Sequence, residues 1–540
     1  MGQNISTAGA PTHEVVIPGQ GRLKGFTLSS PKSGNLTTHR FCRVPYALPC
    51  LGDYRFKKPR PIPETYDYSG EYRDFGLKCP QPAVANPTFG YTKSLSDEDI
   101  THLNIWVPSS DVHKPVGGWP VFIYIHGGWL QYGDPNNAYF NAVELFDDEE
   151  FSQKFILVCP GYRLNIFGFL SAKELLEEDP ESSNFGFWDQ RLAIEWTYKN
   201  IVHFGGNPEK ITLGGLSAGA YSTFFQLAYE VYHPAETQII KQIVLFSNGV
   251  YVQPKTVEES QEQFNEIVEK LGIDPSISPE QKLTQLRKLD ATFIEDFIPT
   301  LNFHTFRAVT DDHFVSSSLI SDLASGVYAK KLSEKQVRII CGDVDNEPLR
   351  YSLLNTPTSV RALEVQVENY YPKKIVPTLE RLYDYGSLNP NEEDFLEKLR
   401  IVYGNIIGDG QVYSSERGFI NSLVVNGFPK EKIFRYRICF RANFLDKFMK
   451  PSINVPHAGD FTVWFYSLRE GFTETERNYV NQWLKPYLEF LNFQERITDW
   501  NTTQINRFRL FRRDGTIDYV TDPDWEWGVK VAEAVYKCQT

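Results

Sequence analysis

Residues 211–224 read ITLGGLSAGAYSTF, a run that could present a reactive hydroxyl. The β-branched stretch Ile211–Thr212–Leu213 meets Gly214, then Gly215-Leu216-Ser217-Ala218-Gly219, then a helical pattern. A G-x-S-x-G in strand–turn–helix context sets its serine on a sharp, strained turn with the hydroxyl exposed. Glycines at 215 and 219 remove the Cβ atoms that would clash there. Serine is a poor nucleophile until a base takes its proton, and that base needs an acid to fix its tautomer and stabilise its cation.

On such a strand-to-helix elbow the partners follow in the order serine, acid, histidine. Of ten histidines, only His233, His304, His313 and His457 follow Ser217. His233 lies just past the helix that Ser217 opens. His304 and His313 precede the strand-like run Val337–Cys341, which leaves His457 as the base. The loop after that run, Cys341-Gly342-Asp343-Val344-Asp345-Asn346-Glu347-Pro348, offers three acids, and their types alone do not separate them. An acyl-transfer site also needs donors for a developing oxyanion. The run Val121–Ile125 leads into His126-Gly127-Gly128-Trp129, a glycine-rich loop able to offer backbone N–H groups, and Ala218 offers another. Losing one such donor typically costs about 10²–10³ in rate.

The elements that would hold these groups recur along the chain. Strand-like runs fall at Val121–Ile125, Phe155–Cys159, Ile211–Leu213, Ile243–Phe246, Val337–Cys341 and Ile433–Cys439. Several are continuously apolar, as parallel strands covered on both faces are. Helical patterns lie between them, with Leu192, Ala193 and Trp196 on one face, and Phe264, Ile267, Val268 and Leu271 on another. The alternation predicts an α/β sheet with right-handed crossovers. Residues 255–335 and 356–428 read as helical insertions at the carboxyl ends of the strands, where such sheets bind ligands. Thr473 and Glu476 form a capping box that opens a helix toward Trp483. Without repeats or long linkers, the chain reads as a flexible segment 1–16 followed by one domain, 17–540.

Composition excludes several classes. Apolar residues are 41 % and aromatics 14 % of the 540, which suits a large core. The formal charge is −13 and no dense basic cluster occurs, which argues against a nucleic-acid partner. Seven scattered cysteines without a CxxC pair argue against structural zinc and fit a reducing, cytoplasmic setting. No apolar stretch reaches the length of a membrane span. The start, Met1-Gly2-Gln3-Asn4-Ile5-Ser6, matches an N-myristoylation pattern on Gly2. A single myristoyl chain would give only weak, reversible membrane contact. The sequons at Asn4, Asn35 and Asn501 carry no weight without a secretory signal.

From about residue 17 onward the chain resembles the type-B carboxylesterases, the α/β-hydrolase family that includes cholinesterases and several lipases. The resemblance rests on Phe41-Cys42-Arg43-Val44-Pro45-Tyr46-Ala47, Leu103-Asn104-Ile105-Trp106-Val107-Pro108, Tyr162-Arg163-Leu164-Asn165-Ile166-Phe167-Gly168-Phe169, and Asn184-Phe185-Gly186-Phe187-Trp188-Asp189-Gln190-Arg191. The run Asn200-Ile201-Val202-His203-Phe204-Gly205-Gly206-Asn207-Pro208 leads on into the serine turn. It implies Ser217 as nucleophile, Glu347 rather than Asp343 or Asp345 as acid, His457 as base, and Ser247 as a buried supporting serine. It implies oxyanion donors at Gly128, Trp129 and Ala218, ion pairs Arg55–Glu98 and Arg163–Asp189 as scaffold, and no metal or cofactor.

Four departures from the family pattern matter. Trp129 replaces the third oxyanion glycine, keeping its N–H but adding an indole. Leu216 replaces an acidic residue before the nucleophile, which points to neutral, apolar esters. Pro348 follows the acid in place of glycine. Cys79 matches a half-cystine whose partner position holds Ile100, so that disulfide cannot form. The expectation is a serine carboxylesterase for a small-molecule ester, with lipase, thioesterase or amidase action by the same residues as the alternative. A non-catalytic binding protein is the remaining contrast.

Overall fold

The apolar runs become the inner strands of one thirteen-stranded mixed sheet in the computed structural model. The structure describes residues 9–83, 85–86, 90–91, 95–137, 139–468, 471–501 and 503–540. Gly2, its lipidation pattern and the Asn4 sequon lie outside the described residues, as does Thr502 of the Asn501 sequon.

Twelve strands follow one path. They are β1 (Thr12–Ile17), β2 (Gly21–Ser29), β3 (Leu36–Pro45), β4 (His102–Pro108), β5 (Trp119–Ile125), β6 (Ile156–Pro160), β7 (Gly206–Leu216), β8 (Gln242–Phe246), β9 (Arg338–Val344), β10 (Ile433–Ile438), β11 (Arg507–Phe511) and β12 (Ile517–Thr521). Their order is β1-β2-β3-β4-β6-β5-β7-β8-β9-β10-β11-β12. Pairing is parallel from β6 through β11 and antiparallel toward both ends.

The reason for the continuous apolar runs is visible in β5, all of whose residues are buried. Val121, Ile123 and Ile125 enter one core, while Phe122 and Tyr124 enter a second on the opposite face. The strand alternation therefore serves two hydrophobic layers at once.

Nine of the chain's helices are α1 (Phe185–Asn200), α2 (Ala218–Tyr232), α3 (Val257–Lys270), α4 (Glu347–Ser352), α5 (Val360–Tyr370), α6 (Phe395–Gly408), α7 (Ser414–Val425), α8 (Glu474–Leu491) and α9 (Trp525–Lys537). Helix α2 packs against β7 and β8. The insertions are largely helical as expected, and α8 opens with the Thr473–Glu476 capping box.

Two expectations change. The segment 1–16 does not remain outside the fold over its second half, because residues 12–17 pair antiparallel with residues 21–26 and bury Val15 and Ile17. Strands β11 and β12 also extend the sheet beyond the sequence reading. The alternating Arg507-Phe508-Arg509-Leu510-Phe511 hides a strand that the apolar-run criterion passes over.

Candidate active site

Ser217 is the single residue between β7 and α2, with φ 58° and ψ −123°. A side chain rarely adopts this conformation unless its surroundings enforce it. Its N–H donates to the Phe246 carbonyl at 2.9 Å, and its carbonyl accepts the Tyr221 N–H at 2.9 Å. The two glycines are required sterically. A Cβ on Gly219 would fall 2.0 Å from the Ile125 carbonyl oxygen, and one on Gly215 would fall 2.4 Å from the Gly219 carbonyl carbon.

The loop after β5 lies directly against this turn. A Cβ on Gly127 would sit 3.2 Å from Cβ of Ser217. Gly128, Trp129 and Leu130 all have positive φ, and Gln131 fixes the loop by donating to the Trp129 carbonyl at 2.9 Å. Among the described residues, the N–H groups of Gly128 and Trp129 donate to no acceptor. Ala218 is the first residue of α2, where an N–H has no carbonyl within its own helix. The Trp129 indole stands edge-on to Tyr132 and Tyr351, with ring centroids 5.5 and 5.7 Å away.

The three acids of the β9 loop meet three different fates. Asp343 is 2.5 Å from Arg437 Nε and 3.2 Å from Arg417 Nη1, inside a buried ion network that also holds Asp522 and Arg435. Asp345 accepts the Val455 N–H at 2.9 Å, and burial pushes its carboxyl up to about 6. Glu347, fully buried at the start of α4, puts Oε2 2.5 Å from His457 Nδ1. Its Oε1 accepts the Val344 N–H at 3.1 Å. Pro348 occupies the first turn of α4, where a missing N–H costs no intrahelical bond.

Other groups around this pair escaped the sequence reading. Tyr413 donates to the Val344 carbonyl at 2.9 Å and accepts the Glu347 N–H at 3.3 Å. Ser247, expected to support the triad, is fully buried, but its hydroxyl has no partner among the described residues. Tyr351, one turn after Glu347 on α4, carries its hydroxyl to 3.4 Å from His457 Nε2 and beside the Ser217 hydroxyl. Its spacing of four from Glu347 is the signal that could have placed it on the same helix face. Asp460, three residues after His457, is held by the Trp464 indole at 2.7 Å. Burial, and then the charge of Glu347, raise its carboxyl to about 6.

The expected scaffold pairs are present. Arg163 and Asp189 make a buried fork with contacts of 2.8 and 2.9 Å, and Arg55 Nε donates to Glu98 at 2.7 Å. All seven cysteines are unpaired, and Cys79 and Ile100 sit in the same core. Leu216 is buried. It packs in the second core, the one that also takes Phe246 and Trp464.

A serine on an enforced turn and a buried carboxylate–imidazole pair suit acyl transfer from an ester. Residues 11–506 match the model of the Carboxylesterase family. The chain belongs to the carboxylesterase family. It is 47 % identical over 526 residues to an uncharacterized esterase/lipase of Schizosaccharomyces pombe, covering 96 % of each chain. It is 35 % identical to a carboxylic ester hydrolase of Gibberella moniliformis, covering 94 % of each. A para-nitrobenzyl esterase of Bacillus subtilis is 30 % identical over 288 residues, 53 % of this chain and 52 % of the relative. This esterase is a carboxylic ester hydrolase with the α/β-hydrolase fold. Among its described residues, no helix is long and apolar enough to cross a membrane.

Proposed function

We propose that the esterase works through a Ser217–His457–Glu347 triad and an acyl-enzyme intermediate. The observation that carries this reading is the 2.5 Å contact between Glu347 Oε2 and His457 Nδ1, next to a serine held on a strained elbow. His457 takes the Ser217 proton through Nε2 as the serine oxygen attacks the ester carbonyl. The negative charge then rests on the N–H groups of Gly128, Trp129 and Ala218. His457 returns the proton to the leaving alcohol, and water attacks the acyl-enzyme by the same route in reverse. Glu347 fixes the Nδ1–H tautomer and stabilises the imidazolium.

The rings of Trp129, Tyr132 and Tyr351 favour an apolar group beside the scissile carbonyl. Neutrality of the whole substrate, inferred from Leu216, loses support because that side chain is in the core. Thioesters, amides or lipid esters would use the same groups, and pocket shape would choose among them. A cytoplasmic enzyme carrying a reversible myristoyl anchor on Gly2 completes the reading, and intact mass from a eukaryotic host tests the anchor.

Fluorophosphonate labelling tests the chemistry. Wild type is expected to be labelled at Ser217 and to hydrolyse esters of graded acyl length, with both lost in Ser217→Ala. No labelling at Ser217 together with no ester turnover would sink the proposal.

A further inference from the structure

One cleft is lined by Tyr221, Tyr251, Lys255, Arg307, Tyr371 and Gln411, with Glu259 and Glu262 also in its wall. Tyr221 follows Ser217 by four residues on α2, about 6 Å along the helix axis. The cleft therefore shares helix α2 with the nucleophile.

Arg307 is built into its wall. The neighbouring backbone is pinned on both sides: Gln131 bonds both the N–H and the carbonyl of Phe306, at 3.0 and 2.5 Å, and Asn184 bonds both those of Val309, each at 2.9 Å. Gln131 and Asn184 thus tie this strap to the oxyanion loop and to the start of α1. The guanidinium lies over the rings of Tyr221 at 4.9 Å and Tyr370 at 5.6 Å. These contacts hold the guanidinium, which also reaches the Tyr221 hydroxyl, and its remaining N–H groups can donate to a carboxylate.

Neither cation of the cleft is held in an ion pair: among the described residues, no carboxylate lies within ion-pair distance of Arg307 or Lys255. The carboxylates nearest Lys255 are otherwise engaged or at the rim: Glu259 accepts the Thr256 N–H at 2.9 Å, Glu368 faces Arg361 at 3.9 Å, and Glu262 is exposed. The Tyr251 hydroxyl, on a ring only 1 % exposed, has no partner among the described residues. Two unpaired cations therefore line one cleft together with the rings of Phe169, Tyr221, Tyr251, Phe303, Tyr370 and Tyr371, while Glu259 and Glu262 line it near Lys255.

We propose that this cleft is a subsite for a carboxylate carried by the substrate at the end remote from the scissile bond, with Arg307 as its anchor. Lys255 at the mouth and the Tyr251 hydroxyl add to the recognition. The inference rests on Ser217 as nucleophile, and it narrows the substrate to esters with an apolar reacting end and an anionic far end.

The test compares aryl half-esters of dicarboxylic acids of graded length with matched methyl-terminated esters. A second series places the carboxylate on the alcohol side. The readout is the ratio of kcat/KM for charged over neutral partners. Wild type is expected to favour the charged ester at one chain length in one series. Arg307→Gln should lower that ratio by roughly 10-fold or more, Arg307→Lys by less, and Lys255→Gln by less again. Thermal unfolding confirms that each variant is folded. Calorimetric titration with free suberate provides an arm that does not need turnover: wild type should bind it and Arg307→Gln should not. Neutral esters turned over with no preference for charge in either series would overturn the subsite while leaving the triad intact. A ratio unmoved by Arg307→Gln would overturn it equally. If Ser217 resists labelling, the triad fails, and suberate binding still decides the subsite.

Discussion

The hydroxyl of Tyr351 stands 3.4 Å from Nε2 of His457, the nitrogen that takes the serine proton in the proposed mechanism. Both its position and that of Glu347 come from one short helix, so the acid and the phenol reach opposite sides of the same imidazole. The phenol supports the resting orientation of His457 and of the Ser217 hydroxyl. Tyr351→Phe should lower kcat/KM by about 3- to 10-fold, the scale of one neutral hydrogen bond. Steady-state kinetics on a short-chain ester measures this, and a loss beyond about 10³ would make the phenol part of proton transfer itself.

Glu347→Gln keeps the shape of the acid but removes its charge and its preference for the Nδ1–H tautomer. A fall of about 10⁴ in kcat is expected, with labelling by fluorophosphonate slowed in parallel. Asp343 cannot substitute, since Arg417 and Arg437 already hold it.

Trp129→Gly should keep the N–H donor while removing the wall formed with Tyr132 and Tyr351. Esters of branched acids should gain about 10-fold in kcat/KM relative to acetate esters, the scale of a few methylene groups admitted to an apolar pocket. An unchanged ratio across a branched series would show that the indole lies outside the acyl path.

Asp460 links stability to pH. Burial and then the charge of Glu347 push its carboxyl up to about 6 in the fold, above the ordinary aspartate value, so the folded state holds the proton more tightly than the unfolded chain. That contribution to stability is fully present below the unfolded value and is lost as pH rises through about 6. Asp460→Asn has no such dependence. Its stability relative to wild type should therefore improve by ~2–3 kcal/mol between acid and neutral pH, a shift of about two pKa units. Urea unfolding of both proteins at the two pH values checks the slope.

Gly219→Ala inserts a Cβ 2.0 Å from the Ile125 carbonyl oxygen. The serine turn must open to accept it, so a loss of ~2–3 kcal/mol in stability, with a larger proportional loss of kcat, is expected. Denaturant unfolding beside ester kinetics separates the two effects.

The inner sheet was legible because its strands are covered on both faces and so read as unbroken apolar runs. The edges were not. In β1 and β11 alternate residues are exposed or charged, and such short segments look like loops until a neighbour pairs with them.

For the proposed site, chain order and residue type singled out Ser217 and His457 as candidates, because only one histidine follows a strand that could carry the acid. The glycines at 215 and 219 were equally legible, since the elbow permits no Cβ there. Which acid faces His457 was decided in three dimensions. Asp343, Asp345 and Glu347 are alike in the chain, but buried arginines take the first and a backbone N–H takes the second. Only Glu347, turned inward as α4 begins, meets the imidazole. The same holds for Leu216, which the chain places beside the nucleophile and the fold sends into a core, and for Arg307, which lies 90 residues from Ser217 in sequence and beside its helix in space. Residue types and their order set which chemistry the chain can do. Long-range packing set which carboxylate, which phenol and which cation stand next to it, because those contacts depend on burial and charge pairing that no local pattern encodes.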